Sequence, residues 1–259
     1  MKRWCFLFLF LCSLAPAQEI PTSYLLRTKQ ALDLCVNDLA RMAEVADQAA
    51  SRLAAGGTLW VAGEASFQSE FSSRAGGLML VQPWGDRIPD KGDVVMFGQG
   101  GESTPSESLF QNNPLIVGFG NPSHSQIEPL FSNHSEELKL SPALGNIITA
   151  WVFTGELIGA LTRLHKMPVV FETIGLYGGF ARIDQYLRKG ILWHEVHSVP
   201  SLPPEMIGNR YIEKVRAMLL RVEKEEGNQL RKVADWVKQT KETGKKIYMY
   251  GMGHYVPIE

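Results

Sequence analysis

The residues best placed to do chemistry sit at glycine turns that follow short apolar runs. Residues 58–62, Thr-Leu-Trp-Val-Ala, end at Gly63, and Glu64, Ala65, Ser66 and Phe67 follow. A run of this kind reads as a strand buried on both faces, as in a parallel sheet. Where such a strand releases the chain into a helix, the first amides and the positive dipole end suit phosphate or another anion. Gly63 supplies a flexible turn, Glu64 a carboxylate and Ser66 a hydroxyl. The pattern is neither the three spaced glycines of a dinucleotide site nor a P-loop with its lysine, so it implies no nucleotide cofactor. It also lacks the Gly-x-Ser-x-Gly elbow of an α/β-hydrolase.

A second turn, Gly98-Gln99-Gly100-Gly101-Glu102-Ser103, follows the apolar run at 93–97 and offers Gly98 amide, Gln99 and Ser103 as ligand-binding groups. A third lies near the end, where Lys246-Ile247-Tyr248-Met249-Tyr250 runs into Gly251, Met252, Gly253 and His254. His194-Glu195-Val196-His197 invites a metal reading. On a strand, however, residues three apart point to opposite faces, and the helical zinc pattern needs a spacing of four. No metal site is assigned. His124 and His134 fall in polar loops and read as solvated, and Arg74 reads as a structural ion-pair partner.

These turns need a scaffold. Apolar residues recur at helical spacing over 25–53 (Leu25, Leu32, Val36, Leu39, Met42, Ala46, Ala49, Leu53), and Gly56-Gly57 stops the pattern. So long a helix before the first strand often packs on a second copy, which makes a homo-oligomer through this helix the expectation. Strands are expected at 58–62, 93–97, 114–119 and 137–140, followed by an apolar helix over 143–164. Beyond Pro168 the segments 168–174 and 191–199 read as extended, 200–204 as a linker, and 205–226 and 228–243 as two helices. Strands alternating with helices predict an α/β fold, a parallel five-stranded sheet flanked by helices in a Rossmann-like three-layer arrangement.

The bulk properties bound the function. The 259 residues are 45% apolar and 20% charged, with a net charge of −1, an ordinary globular composition with no basic footprint for nucleic acid. Lys2-Arg3, the apolar run 4–12 and Ala15-Pro16-Ala17 form the pattern of a cleaved secretory signal, residues 1–17. The run is shorter than the roughly 20 residues of a membrane span. An exported protein, periplasmic or extracellular and without stable membrane insertion, is therefore expected; an uncleaved N-terminal anchor is the alternative. Cleavage leaves Cys35 as the one cysteine, on the apolar face of a helix, where it reads as a buried small hydrophobe.

The long helix ending in Gly56-Gly57, then Thr58 to Gly63, resembles the opening of a sugar isomerase (SIS) domain, in particular the phosphoheptose isomerase branch. The ending from Gly244 to His254 resembles the same opening, so residues 18–204 read as one SIS-like domain and 205–259 as an incomplete second copy, with Gly251, Gly253 and His254 at its turn. The resemblance implies binding of a phosphorylated or amino sugar derivative at the strand ends. It does not carry the isomerase chemistry: the position of the family's catalytic glutamate falls on Ala75 or Gly76, and that of its histidine on Ile148. A sugar-phosphate isomerase or lyase with acid/base groups supplied from a C-terminal half, and a non-catalytic dimerising scaffold, are the alternatives.

Overall fold

The computed structural model describes residues 20–248 apart from 100–104, 121–126, 128–129, 174, 176–177 and 197. The chain divides into two compact units, Arg27–Met218 and the two termini, Met1–Leu26 with Leu219–Glu259. The first helix, α1, runs Ile20–Ala54. Within the Arg27–Met218 unit its stripe of Leu32, Leu39, Met42, Ala46, Ala49 and Leu53 is buried, while Val36 is exposed. Cys35 is buried in the same stripe beside Thr149, and burial pushes its thiol up to about 11, which keeps it a protonated, unreactive group.

The unit Arg27–Met218 is α/β with a parallel sheet. Its elements are β1 (Leu59–Gly63), α2 (Ala65–Ser73), β2 (Val81–Pro83), β3 (Val94–Gly98), β4 (Leu115–Phe119), β5 (Leu130–Phe131), α3 (Ser135–Leu138), α4 (Pro142–Arg163), α5 (Gly179–Lys189) and the start of α6 (Met206–Glu242). The sheet order is β2-β1-β3-β4-β5, every pair parallel. All residues of β3 and β4 are buried, as continuous apolar runs in a parallel sheet should be. At the amino ends Asp93 ties the strands together. One carboxylate oxygen accepts the Thr58 amide at 2.8 Å, and the other accepts Trp60 Nε1 and the Asp90 amide, each at 2.9 Å.

One face of the sheet carries α2 and α4, joined by aromatic contacts. Phe67 and Phe71 stack at 4.9 Å, Phe71 meets Trp151 of α4 at 4.9 Å, and Phe119 of β4 meets Phe153 of α4 edge-on at 5.7 Å. On the other face Ala62, Val95, Phe97 and Ile116 pack with Leu109 and Ile127 beneath Trp60, Trp84 and Phe110. Among the described residues that cover includes a single 3-10 turn, Glu107–Phe110, because the glycine-, serine- and proline-rich connection offers no longer helical run. The described residues contain one helix long and apolar enough to cross a membrane, α4, and 78% of its apolar window is buried inside the protein.

Several sequence expectations are corrected. Residues 137–140 are not a strand: Ser135–Leu138 is a helical turn with Glu136 and Glu137 at its start, and the edge strand forms earlier, at Leu130–Phe131. Strand β2 is additional; Pro83 gives it an edge character, since proline lacks a ladder donor. Segment 191–199 reduces to one bridge, Pro168 with Trp193. Helix α5, held between left-handed Gly178 and Gly190, is also additional. The two helices expected after 204 are one, α6, since a single glycine such as Gly227 costs only about 1 kcal/mol in a helix of strong formers. No strand occurs over 245–248, and the remainder of that expected strand lies outside the described residues.

Glu156 of α4, 1% exposed, fixes where α6 begins. Its Oε1 accepts the Gly208 amide and its Oε2 the Glu205 amide, both at 2.7 Å, so a buried carboxylate caps the helix. Glu156→Gln leaves one acceptor and strands an amide, which should lower unfolding stability by about 1–3 kcal/mol. Urea denaturation should show a lower midpoint with an unchanged slope; an unshifted midpoint would remove Glu156 from this role.

Candidate functional site

From β1 the chain crosses to β2 on one side, then returns to place β3 on the other. Strand order therefore reverses between β1 and β3, and in open α/β sheets ligands bind in the crevice outside the carboxyl ends at such a point. There Gly63 pairs in register with Gly98. Gly63 has φ +99°, and a Cβ on it would lie 2.0 Å from the Gly98 carbonyl oxygen, so no other residue fits. A Cβ on Gly98 would lie 2.2 Å from the Phe67 ring. The Glu64 amide donates to the Gly98 carbonyl at 3.1 Å, and Gln68 Nε2 donates to the Gly63 carbonyl at 2.9 Å.

Helix α2 starts at this junction. Its first intrahelical bond runs from the Gln68 amide to the Glu64 carbonyl at 2.9 Å, so the amides of Ala65, Ser66 and Phe67 precede the ladder. Glu64 occupies the N-cap without a side-chain capping bond. Ala65 and Ser66, in this first turn, are exposed residues. At the neighbouring strand end the Gln99 amide donates to the Phe119 carbonyl at 2.9 Å, and the Gln99 carbonyl accepts Asn146 Nδ2 at 2.6 Å.

A buried amide network holds this end in place. Asn133 Nδ2 donates to Asn146 Oδ1 at 2.6 Å, and Asn133 Oδ1 accepts the Ser135 amide at 3.0 Å and its hydroxyl at 2.8 Å. Against that satisfied network, two buried oxygens at the β1 and β3 ends have no hydrogen-bond partner among the described residues, Glu64 Oε2 and Gln99 Oε1. Buried polar atoms are nearly always paired, so two orphans at adjacent strand ends are conspicuous. Burial also raises the Glu64 carboxyl above its ordinary value.

Of the residues proposed from sequence, Gly63, Glu64, Ser66, Gly98 and Gln99 lie at the ends of neighbouring strands or in the first turn of α2. Ser103, Gly251, Gly253 and His254 lie outside the described residues. Asn133 and Asn146 were missed; the available signal was a polar residue inside the apolar face of α4. Ile148 is buried, and Ala75 and Gly76 are exposed in the turn after α2, so none supplies an acid or base. Glu70 binds Arg74 at 3.1 Å and Trp151 Nε1 at 3.1 Å, which makes both charges structural.

Two other places compare poorly. A cavity of about 320 Å³ is lined by Ser132, His134, Glu136 and Glu137, which follow β5 in the chain; His134 Nδ1 is 3.6 Å from Glu137. His194 stacks edge-on against Tyr186 and donates its amide to Met167, and its companion His197 is outside the described residues. Among the described residues no three His, Cys, Asp or Glu side chains group to hold a metal. No family model matches the chain, and no curated protein matches it.

The raised Glu64 carboxyl gives a signed prediction. A group whose proton is held more tightly in the folded chain contributes stability at low pH and loses that contribution as pH rises through the folded value. Glu64→Gln removes the charged form, so its melting temperature should exceed that of the native protein at pH 7.5. The advantage should shrink towards pH 4, as the native carboxyl takes up its proton. An advantage that is absent, or equal at both pH values, would show that Glu64 is ordinarily solvated.

Proposed function

We propose that the crevice outside β1 and β3 binds a small carbohydrate derivative, a phosphorylated or amino sugar, in an exported protein whose sheet is of the SIS type. The observation that carries this reading is the pair of acceptors unpartnered among the described residues, Glu64 Oε2 and Gln99 Oε1, beside helix-start amides that precede the intrahelical ladder. A sugar matches both halves. Its hydroxyls or an amine donate to the two acceptors, and an anionic substituent takes the amides and Ser66 hydroxyl at the positive end of α2. A flat apolar ligand would leave both acceptors stranded, at a cost of about 1–3 kcal/mol each.

A second reading, isomerisation or elimination on the same sugar, draws on the place of Glu64 at the N-cap of α2, with one carboxylate oxygen unpartnered among the described residues and its carboxyl raised by burial. Moving a proton at a sugar carbon needs a base, and a carboxyl shifted towards neutrality is a better one. The two readings part at Glu64→Gln: a binding protein loses affinity alone, whereas an enzyme loses turnover with any retained affinity.

Thermal-shift measurements with sugar phosphates and free amino sugars test the proposal. At a hundredfold excess over the dissociation constant, a ligand stabilises by about 2.7 kcal/mol, a rise of several degrees for a domain of this size. Ser66→Ala should weaken an anionic sugar roughly three- to tenfold, the worth of one hydrogen bond. If no sugar in either class moves the melting temperature of the folded protein, the crevice is not a carbohydrate site.

A further inference from the structure

A phosphate and an amine make opposite demands on a binding site, and the charged residues around the β1/β3 junction meet only one of them. The turn and helix after β1, residues 64–73, and the connections after β3 and β4, residues 99–114 and 120–129, contain no lysine or arginine. On the flanking elements the cations are engaged elsewhere. Arg74, at the end of α2, pairs with Glu70 at 3.1 Å. Arg87, after β2, lies 5.8 Å from the centre of the Trp60 ring, whose Nε1 donates to Asp93 at the amino ends of the strands. Lys91 directly precedes that same amino-end cluster, and Arg163, at the far end of α4, pairs with Asp47 at 2.6 Å.

One carboxylate stands against this lack of positive charge. Glu64 is the N-cap residue of α2 and its side chain makes no capping bond, so its own charge complements the positive end of the helix. Glu64 Oε2 and Gln99 Oε1 are buried acceptors without hydrogen-bond partners among the described residues, and they belong to the residues that directly follow the paired Gly63 and Gly98. An ammonium brings three donors and a positive charge to such a place. A phosphate brings acceptors alone and would lie beside the Glu64 carboxylate, with no lysine or arginine from these connections to offset the repulsion. Resting on the carbohydrate reading above, we infer that the crevice selects its sugar by a free amine bound to Glu64 and Gln99, and that phosphate is not the group recognised. N-acetylation removes the charge and two of the three donors, so an acetamido sugar is rejected too. A phosphate elsewhere on an amino sugar adds to this contact without replacing it.

Isothermal titration calorimetry of the full chain at pH 7 with glucosamine, glucose, N-acetylglucosamine and glucose 6-phosphate tests this. Glucosamine should bind at least about tenfold more tightly than each of the other three, the worth of one charge-assisted hydrogen bond. Glu64→Gln keeps an acceptor and loses the charge. Its affinity for glucosamine should fall about tenfold, to that for glucose, with the fold checked by circular dichroism. Glucose 6-phosphate or N-acetylglucosamine binding as tightly as glucosamine would overturn the amine as the selected group and leave a carbohydrate site standing. A preference for glucosamine that survives Glu64→Gln at full size would overturn the contact with Glu64. Failure of all four sugars to bind the folded protein would overturn the carbohydrate reading and this inference with it.

Discussion

The contact between Gly63 and Gly98 sets the geometry of everything around the candidate site. The two backbones pass so closely that a single methyl on Gly63 would fall 2.0 Å from the facing carbonyl oxygen, and one on Gly98 would fall 2.2 Å from the Phe67 ring. Phe67 in turn packs on Phe71 and on Phe119 of β4, and Phe71 reaches Trp151 of α4. The strand junction, the helix that starts on it and the helix beneath it are therefore one packed assembly. Any side chain at either glycine must push the start of α2 away from the β3 end, and with it the helix amides from Gln99.

Buried polar groups divide sharply into two kinds. Asp93, Asn133, Asn146 and Glu156 are buried with hydrogen bonds that fasten strand starts, loop ends and the beginning of α6. Their polar atoms have short, well-placed partners, even where burial still raises the carboxyl, as at Glu156, and they act as structure. Among the described residues, Glu64 and Gln99 at the strand junction, and Glu172 elsewhere, have none of that compensation at one oxygen each. Proteins tolerate such uncompensated groups chiefly where function requires them, which is why the β1/β3 junction outranks the cavity lined by Ser132, His134, Glu136 and Glu137.

Periodicity and turn chemistry made the central scaffold legible. Strands β1, β3 and β4 were readable because each is a short apolar run closed by glycine or a polar turn, and α1 and α4 because their apolar repeats persist over many turns. Gly63, Glu64 and Ser66 could be placed at a strand end for the same reason. The rest depended on long-range context. Strand β2 and β5 span three and two residues and exist through pairing with their neighbours rather than through any local pattern. The acidic run before Leu140 favours a helix turn by its charge at the start, which alternation alone does not register. The orphaned oxygens of Glu64 and Gln99 are invisible to sequence, because satisfaction is a property of the folded surroundings.

The proposed sugar binding is tested most directly by titrating the isotope-labelled protein with glucosamine 6-phosphate and following backbone amide resonances by NMR. Binding at the strand junction predicts saturable shifts concentrated at Gly63, Glu64, Ala65, Ser66 and Phe67 and at Gly98 and Gln99, with little change around His134. Shifts centred on the cavity of Ser132, His134, Glu136 and Glu137, or no saturable shift at the junction, would contradict it.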